Sequence, residues 1–249
     1  MAIHEYPSDK PGPSPRGERF ATTRWTMVLC AGGGQSPESR AALAVLCESY
    51  WFPLYAFVRR AGHSVDDAQD LTQEFFARLL AQPLLERADR EKGKFRTFLL
   101  AAMKHFLADQ WDRARAQKRG GGRAVVSFDA MDAEARYRLE PADDLTPERI
   151  FERQWALALL EHVLSRLESE MASDGRSPLF DALKDTLGGG RSATHAAIAA
   201  ELGMTEGAVK VAAHRLRRRY RTLLREEIAQ TVAGPDEVGD EIRYLLSCL

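Results

Sequence analysis

Seven Lys or Arg and no Asp or Glu occur between Lys210 and Arg225 (positions 210, 215, 217, 218, 219, 221 and 225). Cations at that density suit phosphate, and each phosphate neutralised makes binding salt-dependent. Lys210, His214, Arg217 and Arg221 recur at i, i+4, i+7 and i+11, one helical stripe. Val209, Ala212, Leu216 and Leu223 form an apolar stripe on the same segment. Upstream, residues 196–202 read as a short helix capped by Ser192 or Thr194. Gly203 supplies a tight turn and can take positive φ. Thr205 can cap the second helix, and Glu206 sits well at its positive end. A helix-turn-helix of this kind sets its second helix against base edges and its basic flank against phosphates. A solvated helix face is the competing reading of residues 215–221. The Gly-centred turn and the absence of acids favour DNA. For His214, a passive exposed side chain competes evenly with a base contact.

A second basic segment spans residues 95–119. Phe95, Phe98, Phe106 and Trp111 stand among Lys94, Arg96, Lys104, His105, Arg113, Arg115, Lys118 and Arg119. Aromatics beside a basic groove suit single-stranded DNA, whose bases can stack. Taken singly, Phe98, Phe106 and Trp111 are expected in the core. The preceding helix has the opposite sign. Asp67, Asp70 and Glu74 fall three and four apart, and no Lys or Arg occurs from His63 to Ala77. Ala68, Leu71, Phe75 and Leu79 should face a core. Ser64 and Asp67 have the spacing of a capping box.

These segments sit in a chain of 249 residues, 45% hydrophobic, which excludes disorder throughout. Lys plus Arg is 35 and Asp plus Glu is 36, giving a net charge of −1. A uniformly basic packing protein is excluded; a polarised one is not. Cys30, Cys47 and Cys248 are odd in number and form no C-x-x-C pair, against a disulfide framework or structural zinc. No apolar run approaches the ~20 residues of a membrane span, and the N-terminus carries no signal-peptide pattern. Both point to a cytoplasmic protein. None of the six His forms an H-x-x-x-H or H-E-x-x-H pair, and no G-x-S-x-G or P-loop Lys occurs. The expectation is no enzyme, no metal and no cofactor.

Strand signals are sparse, the short run Val125-Val126-Ser127-Phe128 standing alone, so the expected fold class is all-α. Residues 1–19 read as a disordered tail and 20–120 as a first helical block. Residues 121–146 read as an acidic linker and 147–230 as a second block, opened by Thr146-Pro147-Glu148 as cap, first-turn Pro and acid. Residues 231–249 read as an acidic C-terminal tail. Residues 226–241 hold six acids and no Lys or Arg. A tail of that sign could fold back on the basic helix and compete with DNA.

Asp67-Ala68-Gln69-Asp70-Leu71-Thr72-Gln73-Glu74-Phe75-Phe76-Ala77-Arg78-Leu79 resembles the signature of region two of bacterial sigma factors. Residues 95–119 look like the promoter-melting and upstream-reading helix pair that follows it. Met204-Thr205-Glu206-Gly207-Ala208-Val209-Lys210 resembles the region-four recognition helix. The order of region two, acidic linker and region four, without region three, is that of the extracytoplasmic-function subfamily. The resemblance covers about residues 50–227. It implies that Asp67, Asp70, Gln73 and Glu74 meet the clamp of the largest subunit of core RNA polymerase. It implies that Lys104, His105, Asp109, Arg113, Arg115, Lys118 and Arg119 face the −10 element of promoter DNA. It implies that Thr205, Lys210, His214, Arg215, Arg217 and Arg218 meet the −35 element. Leu216, Tyr220, Leu223 and Leu224 would pack within region four or meet the flap of the second-largest subunit. The chain departs at Ala101 and His105, where the family often has Arg and Asn. An anti-sigma factor and a regulatory kinase are further candidate partners. A phosphate on Thr72 beside Asp70 would add repulsive charge. The rival readings are a helix-turn-helix regulator that never binds core polymerase and an adaptor with an acidic partner.

Overall fold

The computed structural model describes residues 28, 31, 36–81, 85, 88, 93–116, 130–138, 145–188 and 193–249. Among these there is no strand, and the fold is all-α. The short run at residues 125–128, the N-terminal tail, Cys30, Ser192, Lys118 and Arg119 lie outside the described residues.

Helix α1 (Pro37–Arg60) starts where Ser36 accepts a hydrogen bond from the Ser39 N–H at 3.1 Å, with Pro37 in the first turn. Tyr50, Leu54, Phe57 and Val58 are buried on one side, and Trp51, Phe52, Tyr55 and Ala56 are buried as well. A helix apolar all round is an interior helix. This corrects the sequence expectation on apolar runs. With a mean hydropathy of 1.4, α1 is long and apolar enough to cross a membrane, yet 71% of that window is buried inside the fold.

Helices α2 (Val65–Ala81) and α3 (Phe95–Ala116) pack beside α1. The stretch read as a linker contains a helix, α4 (Ala130–Arg138). Its short acidic sequence lacks strong periodicity, and it gains its order from α1. Glu134 takes hydrogen bonds from the Tyr55 hydroxyl at 2.7 Å and from Arg59 at 3.1 Å. Arg136 lies 4.2 Å over the Phe52 ring and Arg59 lies 5.1 Å over Tyr137.

Helix α5 (Pro147–Ser173) opens as its sequence expects: the Arg149 N–H donates to the Thr146 hydroxyl at 3.3 Å and Pro147 stands in the first turn. Its N-terminal half lies along α1, the most extensive helix pairing in the molecule's described residues. Trp155 Nε1 donates to the Tyr50 hydroxyl at 3.1 Å, and Phe151 stacks on Tyr50. Arg60 Nε donates to the Leu145 carbonyl at 2.8 Å, tying the end of α1 to the start of α5. The two sequence blocks therefore share one continuous buried cluster, from Val28 to Leu245.

The Gly-rich stretch after α5 folds in part as α6 (Ser177–Leu183), which buries Phe180 and Leu183, followed by a 3₁₀ turn. Helices α7 (His195–Leu202) and α8 (Glu206–Ala229) follow. On α8 the buried positions are Val209, Ala213, Leu216, Leu223, Glu227 and Ile228, and Ala212 of the expected stripe is half-buried against the same cluster. Tyr220 and Leu224 pack against it.

The C-terminal stretch read as a tail forms a helix, α9 (Val238–Leu246), after a 3₁₀ turn. It lies on α5 and α8, where Ile242 and Leu245 meet Leu159, Leu224 and Ile228. The four acids Asp236, Glu237, Asp240 and Glu241 give the stretch the look of a solvated tail.

Candidate nucleic-acid interface

The acidic surface is built on α2. The Asp67 N–H donates to Ser64 Oγ at 3.1 Å and Ser64 Oγ donates back to the Asp67 carboxylate at 2.7 Å, closing the expected capping box. This fixes the helix rotation. Ala68, Phe75 and Leu79 turn inward with Thr72 and Phe76, and Leu71 is half-buried. Asp66, Asp67, Asp70 and Glu74 are exposed and Gln73 is half-buried. Thr72 is wholly buried, its hydroxyl donating to the Ala68 carbonyl at 2.7 Å. A kinase cannot reach that hydroxyl in this conformation, which removes Thr72 as an accessible phosphorylation site.

Helix α3 presents the second surface. Lys104, His105, Asp109 and Arg113 are exposed; Arg115 lies on the helix. Two of these positions are already engaged. Arg78 of α2 pairs with Asp109 at 3.2 Å, and Gln110 donates to Glu74, so the α2–α3 edge is laced by polar contacts. Lys104 pairs with Glu148 of α5 at 2.7 Å. That hydrogen bond, with the backbone amides of the first turn of α5, holds the Glu148 carboxyl below its ordinary value. Both partners are about half exposed, so the pair is weak and open to competition from another anion.

Phe106 is buried as expected and Phe98 is half-buried, but Trp111 is 68% exposed. Its core expectation is wrong for a geometric reason. Trp111 stands five residues after Phe106, about 140° around the helix, while Lys104 lies seven residues before it on its own face. The signal was present in the spacing. An indole beside cations offers a stacking platform.

The third surface comes from α7, the turn and α8. Thr194 caps α7, its hydroxyl accepting from the Ala197 N–H at 3.2 Å. Gly203 ends it in the left-handed region, with φ of +63°. Thr205 accepts from the Ala208 N–H at 3.2 Å and begins α8. Thr205, Lys210, His214, Arg215 and Arg218 are exposed and Arg217 is half-buried. Lys210 pairs with Glu206 at 2.8 Å, one turn away, and this holds the Glu206 carboxyl low. Arg219 belongs to another face. Its guanidinium grips the Glu170 carboxylate of α5 through two hydrogen bonds of 2.7 Å, which holds the Glu170 carboxyl low. Arg166 of α5 likewise reaches back to Glu226 and Glu227 at 3.0 and 2.8 Å. Those acids, counted with the tail by sequence, work inside the α5–α8 contact.

No curated protein and no solved structure matches the chain. Residues 46–117 match the family model for Sigma-70 region 2. The match begins within α1 and takes in α2 and α3, the elements that carry the acidic surface and the basic, aromatic one. The match spans residues 46–117, less than half of the chain.

Proposed function

We propose that this protein is a sigma factor of the extracytoplasmic-function type, which binds core RNA polymerase and directs promoter recognition and melting. The observation that carries the reading is the region-two match over the helices that bear two oppositely charged faces. Asp67, Asp70, Gln73 and Glu74 would contact the polymerase clamp. Lys104, His105 and Arg113, with Arg115, would face the −10 element. Trp111 would stack on a base exposed by melting, since its face of α3 also carries Lys104. Asp109, paired with Arg78, would position α3 against α2 rather than read a base.

Residues 195–229 would act as region four. The exposed cations of α8 support it, with Lys210, His214, Arg215, Arg217 and Arg218 toward the −35 element and Thr205 capping the helix. Binding energy performs the work: phosphate contacts, a few base contacts, and capture of unpaired bases. No covalent step is required. The protein would act in the cytoplasm.

Run-off transcription with core polymerase on a promoter library tests the whole reading. Transcripts should need both components. DNA binding without polymerase recruitment would instead mean a helix-turn-helix regulator. Asp70→Lys tests the clamp contact. Because Asp70 is exposed, the fold should stay within about 0.5 kcal/mol. Core binding in a pull-down should be lost, and an unchanged affinity would remove α2 as the polymerase surface.

A further inference from the structure

Glu241 of α9 is among the most buried acids in the described chain, its side chain 0% exposed. It pairs with Lys94, which enters α3, and with Arg96 in the first turn of α3. Arg96 is itself 2% exposed and donates through Nε to Glu152 of α5 at 2.7 Å. The Arg96 guanidinium lies 4.5 Å from the Trp155 ring on one side and 5.7 Å from the Tyr244 ring of α9 on another. Lys94 lies 5.4 Å over the same Tyr244 ring. Two cations and two carboxylates thus meet at the junction of α3, α5 and α9. Helix α9 supplies one carboxylate and one ring of this cluster.

We propose that α9 is an intramolecular clasp that sits over Lys94 and Arg96 and withholds these two cations from nucleic acid. The inference rests on the DNA-facing role proposed for α3. A carboxylate and a phosphate compete for the same guanidinium and ammonium donors. While α9 is seated, Glu241 fills that place. When α9 lifts, Lys94 loses its acid and Arg96 keeps only Glu152. The entrance of α3 then gains positive charge, next to the segment that would hold melted DNA. The remaining attachment of α9 is apolar, with Val238, Ile242 and Leu245 packed on the cluster that holds Leu159, Leu224 and Ile228. A single nine-residue helix held partly by ions can be displaced without unfolding the helices beneath it.

Hydrogen exchange on the full chain tests the clasp. In Glu241→Gln, the amides of residues 238–246 should exchange about tenfold faster or more, while those of α8 keep their protection. Tyr244→Leu, which leaves every charge in place, should release α9 to a smaller degree and serves if Glu241→Gln folds poorly. Affinity of Glu241→Gln for a mixed-sequence single-stranded oligodeoxynucleotide should rise severalfold, and Lys94→Gln in the same chain should cancel the gain. Unchanged exchange of α9 in both variants, or release of α9 with no gain in affinity, would overturn the clasp. These readouts need no polymerase. A chain that shows them yet fails in run-off transcription loses the sigma reading alone. A chain that transcribes but keeps α9 protected in Glu241→Gln loses the clasp alone.

Discussion

Helices α3 and α8 both carry strings of cations, yet they meet different surroundings. On α8, Arg215, Arg218 and Arg221 are exposed, and Lys210 pairs only with a neighbour one turn away. At the start of α3, Lys94 and Arg96 are covered by acids from α5 and α9, and Lys104 leans on Glu148. The distant carboxylates, not the cations, make the difference. Basic residues are a surface only where no acid of the same chain reaches them.

That contrast predicts a crossover in mutant behaviour. Arg96→Ala leaves Glu152 and Glu241 buried without their cation. It should cost about 3–5 kcal/mol by denaturant unfolding. A loss below 1 kcal/mol would erase the distinction between covered and open cations. The triple change Arg215→Gln, Arg218→Gln and Arg221→Gln should do the reverse. Stability should hardly move, while the log–log salt slope of duplex binding falls by about 2.7 in an anisotropy titration. A slope that stays put would mean that this stripe is only solvated.

Gly203→Ala sharpens the comparison by tilting α8 without touching a charge. Nothing lies within 4 Å of an added Cβ there, so the cost comes from the φ of +63° alone, about 1 kcal/mol. Duplex binding should weaken more than melting temperature suggests.

The smallest effect concerns α4. Arg59 and Tyr55 hydrogen-bond Glu134 and hold its carboxyl below the ordinary 4.5. A carboxylate depressed in the folded state stabilises above its unfolded pKa and loses that contribution as pH falls through the folded pKa. Glu134→Gln should therefore flatten the acid limb of the stability–pH curve below about pH 4.5 and change its shape little near neutrality.

The local features were legible in sequence. The Ser64–Asp67 box, the Thr146 and Thr205 caps, the Gly203 turn and the inward residues of α2 all appear as expected. Each depends on residues three or four apart. Trp111 departs from the expected core because its phase on α3 is that of Lys104 rather than Phe106. Helices α4 and α9 stand where a linker and a tail are expected, because both are short and take their order from distant partners. Glu134 finds Tyr55 across 79 residues, and Lys94 finds Glu241 across 147.

The amino-acid order by itself determined the starts of α2, α5 and α8, the turn at Gly203, and which side of α2 and of α8 is apolar. Those outcomes follow from backbone hydrogen bonds and side-chain period, both short-range. Only the tertiary structure decided that α1 is an interior helix paired with α5, that Arg219 serves Glu170, and that Glu241 lies over Arg96. Burial and ion pairing depend on which distant groups arrive at one place, and the charge of a residue is unchanged by who its neighbours are until the chain has folded.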